Sequence, residues 1–373
     1  MYRAESQLIL QKHTRQILYN ARQQVGFAQL TWDKHLGLLD LLAGATMRYT
    51  YYDDNTLATT EPSQTYLPGL FLQNELTFSP VHKLLLGVRY DYNSQHGSIL
   101  TPRLNYKLTL NPKHVLRLGV GNGYRVVNVF SEDHAALTGA RQVVIKSGLL
   151  PERSWNGNLN YVGKFFPKFG FFGIDASLFY TRFSNKIVAD YFTDPNKIIY
   201  DNLAGFGISE GMTLNTDWNF KNGLKIIAGF TFMSVYTQTS NSKEKQVQAP
   251  PFSGTWSVSY GLPKWGLSFD YTGNVYSPMR LPILPDDFRP EYSPWFSIQN
   301  LQITKRFKKG VELYTGVKNL LNFLPKHPIM RPFDPFDKQI GVNNPYGYTF
   351  DPNYNYAPMQ GIRGFLGVRW TFG

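Results

Sequence analysis

From Leu366 to Phe372 the chain alternates without a break: Leu366, Val368, Trp370 and Phe372 face one way, and Gly367, Arg369 and Thr371 face the other. Successive side chains of a strand point to opposite faces. This segment therefore offers one apolar and one polar face and ends in aromatics beside Gly373. Such a strand suits a wall between lipid and water, as in a membrane-spanning β-barrel. That role points to a pore or transporter rather than a soluble enzyme.

The same period recurs along the chain. Leu104, Tyr106 and Leu108 alternate with Arg103, Asn105 and Lys107, and Leu116, Leu118 and Val120 with Arg117, Gly119 and Gly121. Trp265, Leu267, Phe269 and Tyr271 alternate with Gly266, Ser268, Asp270 and Thr272. A charge on the lipid face costs roughly 2–4 kcal/mol at the bilayer midplane, and the charges keep almost entirely to one parity. Lys305, in register with Leu301 and Ile303, is the exception; it lies near a turn, where a long side chain snorkels.

About 16 strands are predicted, over 3–12, 22–32, 37–52, 69–79, 82–93, 99–110, 114–123, 153–165, 171–184, 205–219, 223–238, 252–262, 264–277, 294–307, 310–322 and 362–372. Every second connection is short, such as Ser79-Pro80-Val81-His82 and Asn111-Pro112-Lys113-His114. Those between are longer, such as Gly123–Pro151, Pro278–Ser293 and Phe323–Gln360, except that His13–Ala21 is intermediate and Asn93–Ser98 is short. Outer-membrane barrels sort their loops in this way, and a two-sheet sandwich has no reason to. An even count puts both ends on the short-turn, periplasmic rim. Ile187–Tyr200 is also strand-like and is read as a hairpin inside a long loop, because a wall strand there would invert the loop pattern downstream. The fold class is therefore all-β, a transmembrane antiparallel β-barrel.

Composition agrees. Aromatics reach 16 %, enough to furnish two interfacial girdles. Mean hydropathy is −0.30, which fits a wet interior and polar loops. No stretch approaches the roughly 18 apolar residues of a spanning helix. The absence of cysteine excludes a disulfide scaffold and a thiolate metal site. The net charge of +12 is scattered rather than gathered on one face, which argues against nucleic acid and leaves anionic ligands, lipopolysaccharide or plain solvation.

Four segments carry a further signal: Gly121-Asn122-Gly123-Tyr124-Arg125-Val126-Val127-Asn128-Val129-Phe130-Ser131-Glu132, Leu149-Leu150-Pro151-Glu152-Arg153-Ser154-Trp155-Asn156, Gly316-Val317-Lys318-Asn319-Leu320-Leu321-Asn322 and Tyr356-Ala357-Pro358-Met359-Gln360-Gly361-Ile362-Arg363-Gly364. In this order they resemble segments of TonB-dependent outer-membrane receptors, with loops similar to those of Bacteroidota. The first leaves a mid-barrel strand and the second re-enters the next. The third resembles the penultimate strand with its Asn-Leu pair, and the fourth leads into the last strand. The resemblance implies a 22-strand barrel preceded by a plug. The match begins around the seventh strand. Residues 1–373 are thus expected to be the C-terminal barrel portion of a ferric siderophore receptor type, about 16 strands of the 22, with the plug and first strands absent. No signal peptide is recognisable at Met1-Tyr2-Arg3-Ala4-Glu5.

The implied function is active, TonB-dependent uptake of a scarce nutrient across the cell outer membrane, above all a ferric siderophore or related iron chelate. The alternatives are a passive porin and a receptor for cobalamin, haem or oligosaccharide. Implied partners are the TonB inner-membrane motor acting through the plug, outer-membrane lipid and lipopolysaccharide, the barrel-assembly machinery and a small nutrient ligand. Gly367, Trp370 and Phe372 resemble the signal read by that machinery, although Phe365 stands where a polar residue is expected. The same aromatics would serve as girdle residues. A truncated wall would carry edges near Arg3–Lys12 and Ile362–Phe372, expected to stay apart as an open sheet or to close a narrower barrel.

No catalytic constellation, cofactor motif or metal-ligand spacing stands out, so no enzyme activity is expected. His134, beside Glu132 and Asp133 in a long loop, is the best isolated ligand contact, with Arg125 on the strand before it. His35, His82 and His114 fall in short turns and are expected to be solvated. Asp286-Asp287 and Glu291 would hold a calcium ion or remain solvated. Inward-facing Arg103, Lys107 and Arg117 would attract an anionic ligand or pair with a plug. Loop aromatics are dense: Tyr276, Phe288, Tyr292, Trp295, Phe333, Phe336, Tyr346, Tyr348, Phe350, Tyr354 and Tyr356. Aromatics suit ring-rich chelates or pack loops together; Tyr346 and Tyr348 are the candidates for ligand contact.

Overall fold

Alternating sequences pair into one antiparallel meander. The computed structural model describes residues 2–12, 15–54, 61–126, 142–146, 148–191, 193–194, 197–335, 337–341 and 343–371. The strands are β1 (Tyr2–Lys12), β2 (Arg15–Leu36), β3 (Leu39–Asp54), β4 (Ser63–Thr77), β5 (His82–Asn93), β6 (Gly97–Asn111), β7 (His114–Arg125), β8 (Gln142–Ile145), β9 (Glu152–Phe165) and β10 (Gly170–Asn185). They continue as β11 (Ile187–Asp190), β12 (Lys197–Asn202), β13 (Gly205–Phe220), β14 (Leu224–Thr239), β15 (Lys243–Lys245), β16 (Phe252–Leu262), β17 (Leu267–Tyr276), β18 (Phe296–Arg306), β19 (Val311–Lys318) and β20 (Arg363–Trp370).

All of these except β8, β11, β12 and β15 form the wall, sixteen strands each antiparallel to the next. Among the described residues, β1 pairs with β2 alone and β20 with β19 alone. Every wall N–H and C=O inside a bilayer needs such a partner.

The two faces sort as the alternation requires. Leu366, Val368 and Trp370 are 72, 67 and 61 % exposed, and Leu86, Val88, Tyr90 and Tyr92 of β5 are exposed on the same outer side of the wall. The opposite face of β5 carries Arg89 and the fully buried Asp91. Arg89 Nε and Nη2 donate to Asp91 at 2.7 and 2.6 Å, and Nη2 also reaches Thr46 Oγ1 at 2.9 Å. Gly69 leaves the room: a Cβ there would lie 2.2 Å from Asp91 Oδ1. At the end of the wall two glycines receive cross-strand rings. Gly367 lies opposite Tyr314 and Gly316 opposite Phe365, and a Cβ on either would meet the facing ring within 2.5 Å. Gly367 thus has a packing reason of its own. Phe372 lies outside the described residues.

The short-turn rim carries an aromatic belt. Phe165 stacks on Phe172 at 5.6 Å between centroids, Phe172 meets Trp218 at 4.0 Å, and Phe169 stacks on Phe220 at 5.4 Å. Of the histidines of this rim, His35 and His82 are exposed and His114 is half-buried, and each has a hydrogen-bond partner. His82 Nδ1 lies 2.5 Å from the Tyr106 hydroxyl, His114 Nδ1 lies 2.7 Å from that of Tyr161, and His35 bonds Asp40. Tyrosine hydroxyls reach His82 and His114 from adjacent strands. Lys305 behaves as a snorkelling residue, its ammonium donating to the Trp265 carbonyl at the turn.

Some strand ends differ from expectation, each for a local reason. β2 begins at Arg15 rather than 22, because the ladder with β1 runs on from Tyr2↔Val25 to Lys12↔Arg15. β17 begins at Leu267, since Pro263–Trp265 forms a 3-10 turn closed by Gly266 at φ 58°. β19 stops at Lys318 rather than 322, because Asn319 turns left-handed at φ 52°. The loop hairpin is present as β11 and β12, but it gains a third strand, β8, parallel to β12.

Candidate functional site

The two longest described connections, 277–295 and 319–362, fold onto one another at the long-loop rim. Prolines preset much of this backbone. Asp286, Asn319, Asn322, His327, Arg331, Asp337 and Asn343 all take left-handed φ values between 47 and 57°, so the path is held by its contacts.

The root of the second loop is a clamp. Asn319 Nδ2 donates to the carbonyls of Phe323 at 2.8 Å and Gln360 at 3.1 Å, while its Oδ1 accepts from the Phe323 N–H. Asn322 Oδ1 accepts from the Ile362 N–H at 2.9 Å. One side chain near the start of the loop thus holds its end, and a second repeats the tie. These are the asparagines of the Gly316–Asn322 segment, and closing the long loop is their physical task.

Above the clamp lies a small core. Met279, Leu281, Phe296 and Tyr354 pack together with Phe323 and Tyr356, and Leu284, Met330 and Tyr348 pack beside them. Tyr348 donates to the Pro285 carbonyl and Tyr354 to that of Pro290, tying one loop to the other. The side chains of Asp287 and Arg289 are both fully buried. The guanidinium makes a bidentate pair through Nε and Nη2, the latter at 2.7 Å, and stacks 4.1 Å from the Tyr354 ring centroid. The Asp287 carboxylate is thus engaged by Arg289 rather than solvated; Glu291 is engaged by Arg280 at 3.0 Å. Among the described residues no three His, Cys, Asp or Glu side chains converge as a metal site.

This cap leaves a cleft of about 600 Å³ lined by Phe288 from one loop and by His327, Phe333, Asn343, Tyr346 and Tyr348 among others from the second. Phe288 meets His327 edge-on at 5.4 Å, and Tyr346 lies 5.5 Å from Tyr348. Phe288, Phe333 and Tyr346 are 67, 71 and 55 % exposed, whereas Tyr348 is buried. Large exposed rings around a concavity present π faces to a ligand. The loop aromatics thus divide: Tyr348, Tyr354 and Tyr356 build the cap, while Phe288, Phe333 and Tyr346 face its cleft.

Arg125 lies elsewhere. It lines a second cavity, of about 550 Å³, with Glu152, Lys186, β11, the β15 segment and Arg280. Its guanidinium pairs with Glu152 at 2.8 Å. Lys186 donates to Gln246 Oε1 at 2.8 Å. His134 and Glu132 lie outside the described residues, as does Phe336. The inward Arg103 bonds Gln73, and Arg117 Nη1 reaches Asn160 at 3.1 Å, both on the inner wall. Of the five candidate contacts, three lie among the described residues. Tyr346 and Tyr348 share the cleft, which also includes His327 and Phe333, and Arg125 belongs to the second cavity.

A family model described as TonB dependent receptor-like, beta-barrel matches residues 4–320. No curated protein matches the chain. Among solved structures, the siderophore receptor PirA from Acinetobacter baumannii aligns with a TM-score of 0.69 at 15 % identity, covering 97 % of this chain and 56 % of that one. A substituted form of the ferric enterobactin receptor PfeA from Pseudomonas aeruginosa, in complex with enterobactin, aligns with a TM-score of 0.63 at 18 % identity, over 82 % of this chain and 50 % of that one. The copper transporter OprC aligns with a TM-score of 0.62 at 13 % identity, over 82 % and 52 %. At these identities the likeness is one of fold. The chain spans about half the length of the receptors it matches.

Proposed function

The chain belongs to the family of TonB-dependent receptor-like β-barrels, and from that premise we propose that it forms the C-terminal barrel of an outer-membrane receptor for active nutrient uptake. The observation that carries the reading is the folded cap with an aromatic cleft on the long-loop rim. A concave site lined by exposed rings fits capture of a ligand rather than passive flux. In this reading the rim faces outward, and the plug and the inner-membrane TonB motor, which drive release, lie outside this sequence. Barrel-assembly machinery inserts the wall, with Gly367, Trp370 and Phe372 as its signal.

The ligand class that fits is a ferric siderophore or related chelate with aromatic or planar groups. Phe288, Phe333 and Tyr346 would stack on it, each ring pair worth about 0.5–1.5 kcal/mol beyond area burial. Siderophores are the ligands named for PfeA and PirA. Arg125, Glu132 and His134 would contact the ligand from the β7–β9 side of the mouth, and Tyr348 holds the floor of the cleft.

Growth on a ferric chelate as sole iron source tests the reading. Growth should require both the receptor and an intact TonB motor; equal growth without the motor would sink it. In a direct binding assay, Phe288→Ala with Tyr346→Ala should weaken chelate binding about 10- to 100-fold, from two lost ring contacts. Unchanged affinity would remove the cleft from the site.

A further inference from the structure

The second cavity has a feature that the aromatic cleft lacks. Five consecutive residues, Ile187 to Tyr191, line it. The face of a strand presents alternate residues, whereas an edge presents consecutive ones. The ladder to β12 settles which groups point inward. Leu203 N–H donates to the Lys186 carbonyl at 2.8 Å, and the register continues Ile187↔Asn202 to Asp190↔Ile199. In an antiparallel pair the bonded residues alternate. Val188 and Asp190 thus turn their backbone groups to β12, and Ile187 and Ala189 turn theirs to the cavity. The Ile187 N–H is met there by Glu152 Oε1 at 3.0 Å, as the alternation requires. The Ile187 carbonyl and both backbone groups of Ala189 face the slot. With four residues, β11 offers an edge of about 13 Å.

The charge of the slot is also uneven. Among the described residues, four cations, Arg125, Lys186, Lys245 and Arg280, line it against three carboxylates, Glu152, Asp190 and Glu244. Arg125 is paired with Glu152, and Arg280 with Glu244 and Glu291. The Lys186 ammonium donates to the neutral Gln246 amide. Burial pulls its amine below the ordinary lysine value, and the Glu152 carboxylate offsets this only in part. A carboxylate arriving in the slot would relieve that cost.

We infer that the edge of β11 turned away from β12, which no described strand pairs, and the Lys186 ammonium form a subsite for an extended, carboxylate-bearing peptide. The ligand backbone adds as a strand to Ile187 and Ala189, the mode of recognition in which main-chain hydrogen bonds carry affinity. Its carboxylate meets Lys186. The subsite shares no lining residue with the aromatic cleft. It rests on the uptake reading in placing this mouth outside the cell, and it extends the ligand class from ring-bearing to peptide-bearing molecules.

The test uses purified full-length receptor in detergent and a fluorescent pentapeptide, Val-Thr-Val-Thr-Val, in three forms. These are the free acid, the C-terminal amide and an acid N-methylated at alternate residues. The free acid should bind, and the other two should bind at least about tenfold more weakly. In Lys186→Gln the acid and amide should become equal while the N-methyl penalty persists. Because N-methylation alters only the ligand, that arm is independent of any misfolding in the variant. No binding, or equal binding of the three forms, would overturn the subsite. Chelate-dependent growth is scored separately. Its persistence without peptide binding removes the subsite alone, whereas peptide binding without motor-dependent growth removes the uptake reading alone.

Discussion

Arg289→Met should undock the cap while leaving the wall intact. The Arg289 and Asp287 side chains are both buried, and the guanidinium also stacks on Tyr354, which ties one loop to the other. Removing one partner of a buried pair leaves an uncompensated charge, a cost of about 3–5 kcal/mol. The small core of the cap has little to set against that. Amide exchange in 277–295 and 320–362 should accelerate by orders of magnitude, with the sheet circular dichroism unchanged. Chelate affinity should fall as well, since Phe288 lies between the two paired residues. Replacing both, as Asp287→Leu with Arg289→Met, should restore part of the protection, because no buried charge is then left alone. Equal exchange in wild type and Arg289→Met would show that the pair does not hold the cap.

The same pair sets a pH limit. Burial alone would raise the Asp287 carboxyl, but hydrogen bonds from the Arg289 side chain and from the backbone N–H groups of Arg289 and Leu284 outweigh it and hold the group below the ordinary carboxylate value. A group lowered on folding adds stability that is fully present above its unfolded pKa, about 3.9, and lost as pH falls through the folded one. Cap protection should therefore be equal at pH 7 and pH 5 and decline only below about pH 4. A decline between pH 7 and pH 5 would assign cap stability to other groups.

The wall was legible in the sequence because its physics is periodic. β5 and β16 match their expected limits of 82–93 and 252–262, each bounded by a short turn or a proline-rich stretch. Alternation also separated lipid-facing from inner residues, down to Lys305 at its turn. The cap was not legible, because its core residues, Met279, Leu281, Leu284 and Tyr354, follow no period and come together only through loop closure. Asp287 read as half of an acidic pair because its partner, two residues on, becomes an ion pair only when both are buried. β8 escaped notice although Val143, Val144 and Ile145 are all β-branched; a four-residue strand needs its β12 partner to become visible. The Gly316–Asn322 segment carried a family signal whose cause, the Asn319 and Asn322 clamp, required the distant Gln360 and Ile362.

Leu366→Arg should impair assembly of the wall more than loss of a charge from its inner face. Leu366 is 72 % exposed on the outer side of β20, four residues from the rim aromatic Trp370. At about 3.3 Å per residue and a strand tilt of about 40°, it lies about 10 Å inside the girdle, near the middle of an apolar band about 25 Å tall. An arginine there costs roughly 2–4 kcal/mol, falling to about 0–1 near the interfaces. The neighbouring parity supplies the control. Arg369 points inward and meets Glu312, which also holds Arg306 at 2.6 Å. That exposed network is worth at most about 1 kcal/mol, so Arg369→Leu should be mild. Denaturant midpoints in lipid vesicles should fall for Leu366→Arg, far less for Trp370→Arg at the rim, and little for Arg369→Leu. Equal losses for Leu366→Arg and Trp370→Arg would mean that β20 does not cross the hydrocarbon band in this register, and the alternation at the end of the chain would need another cause.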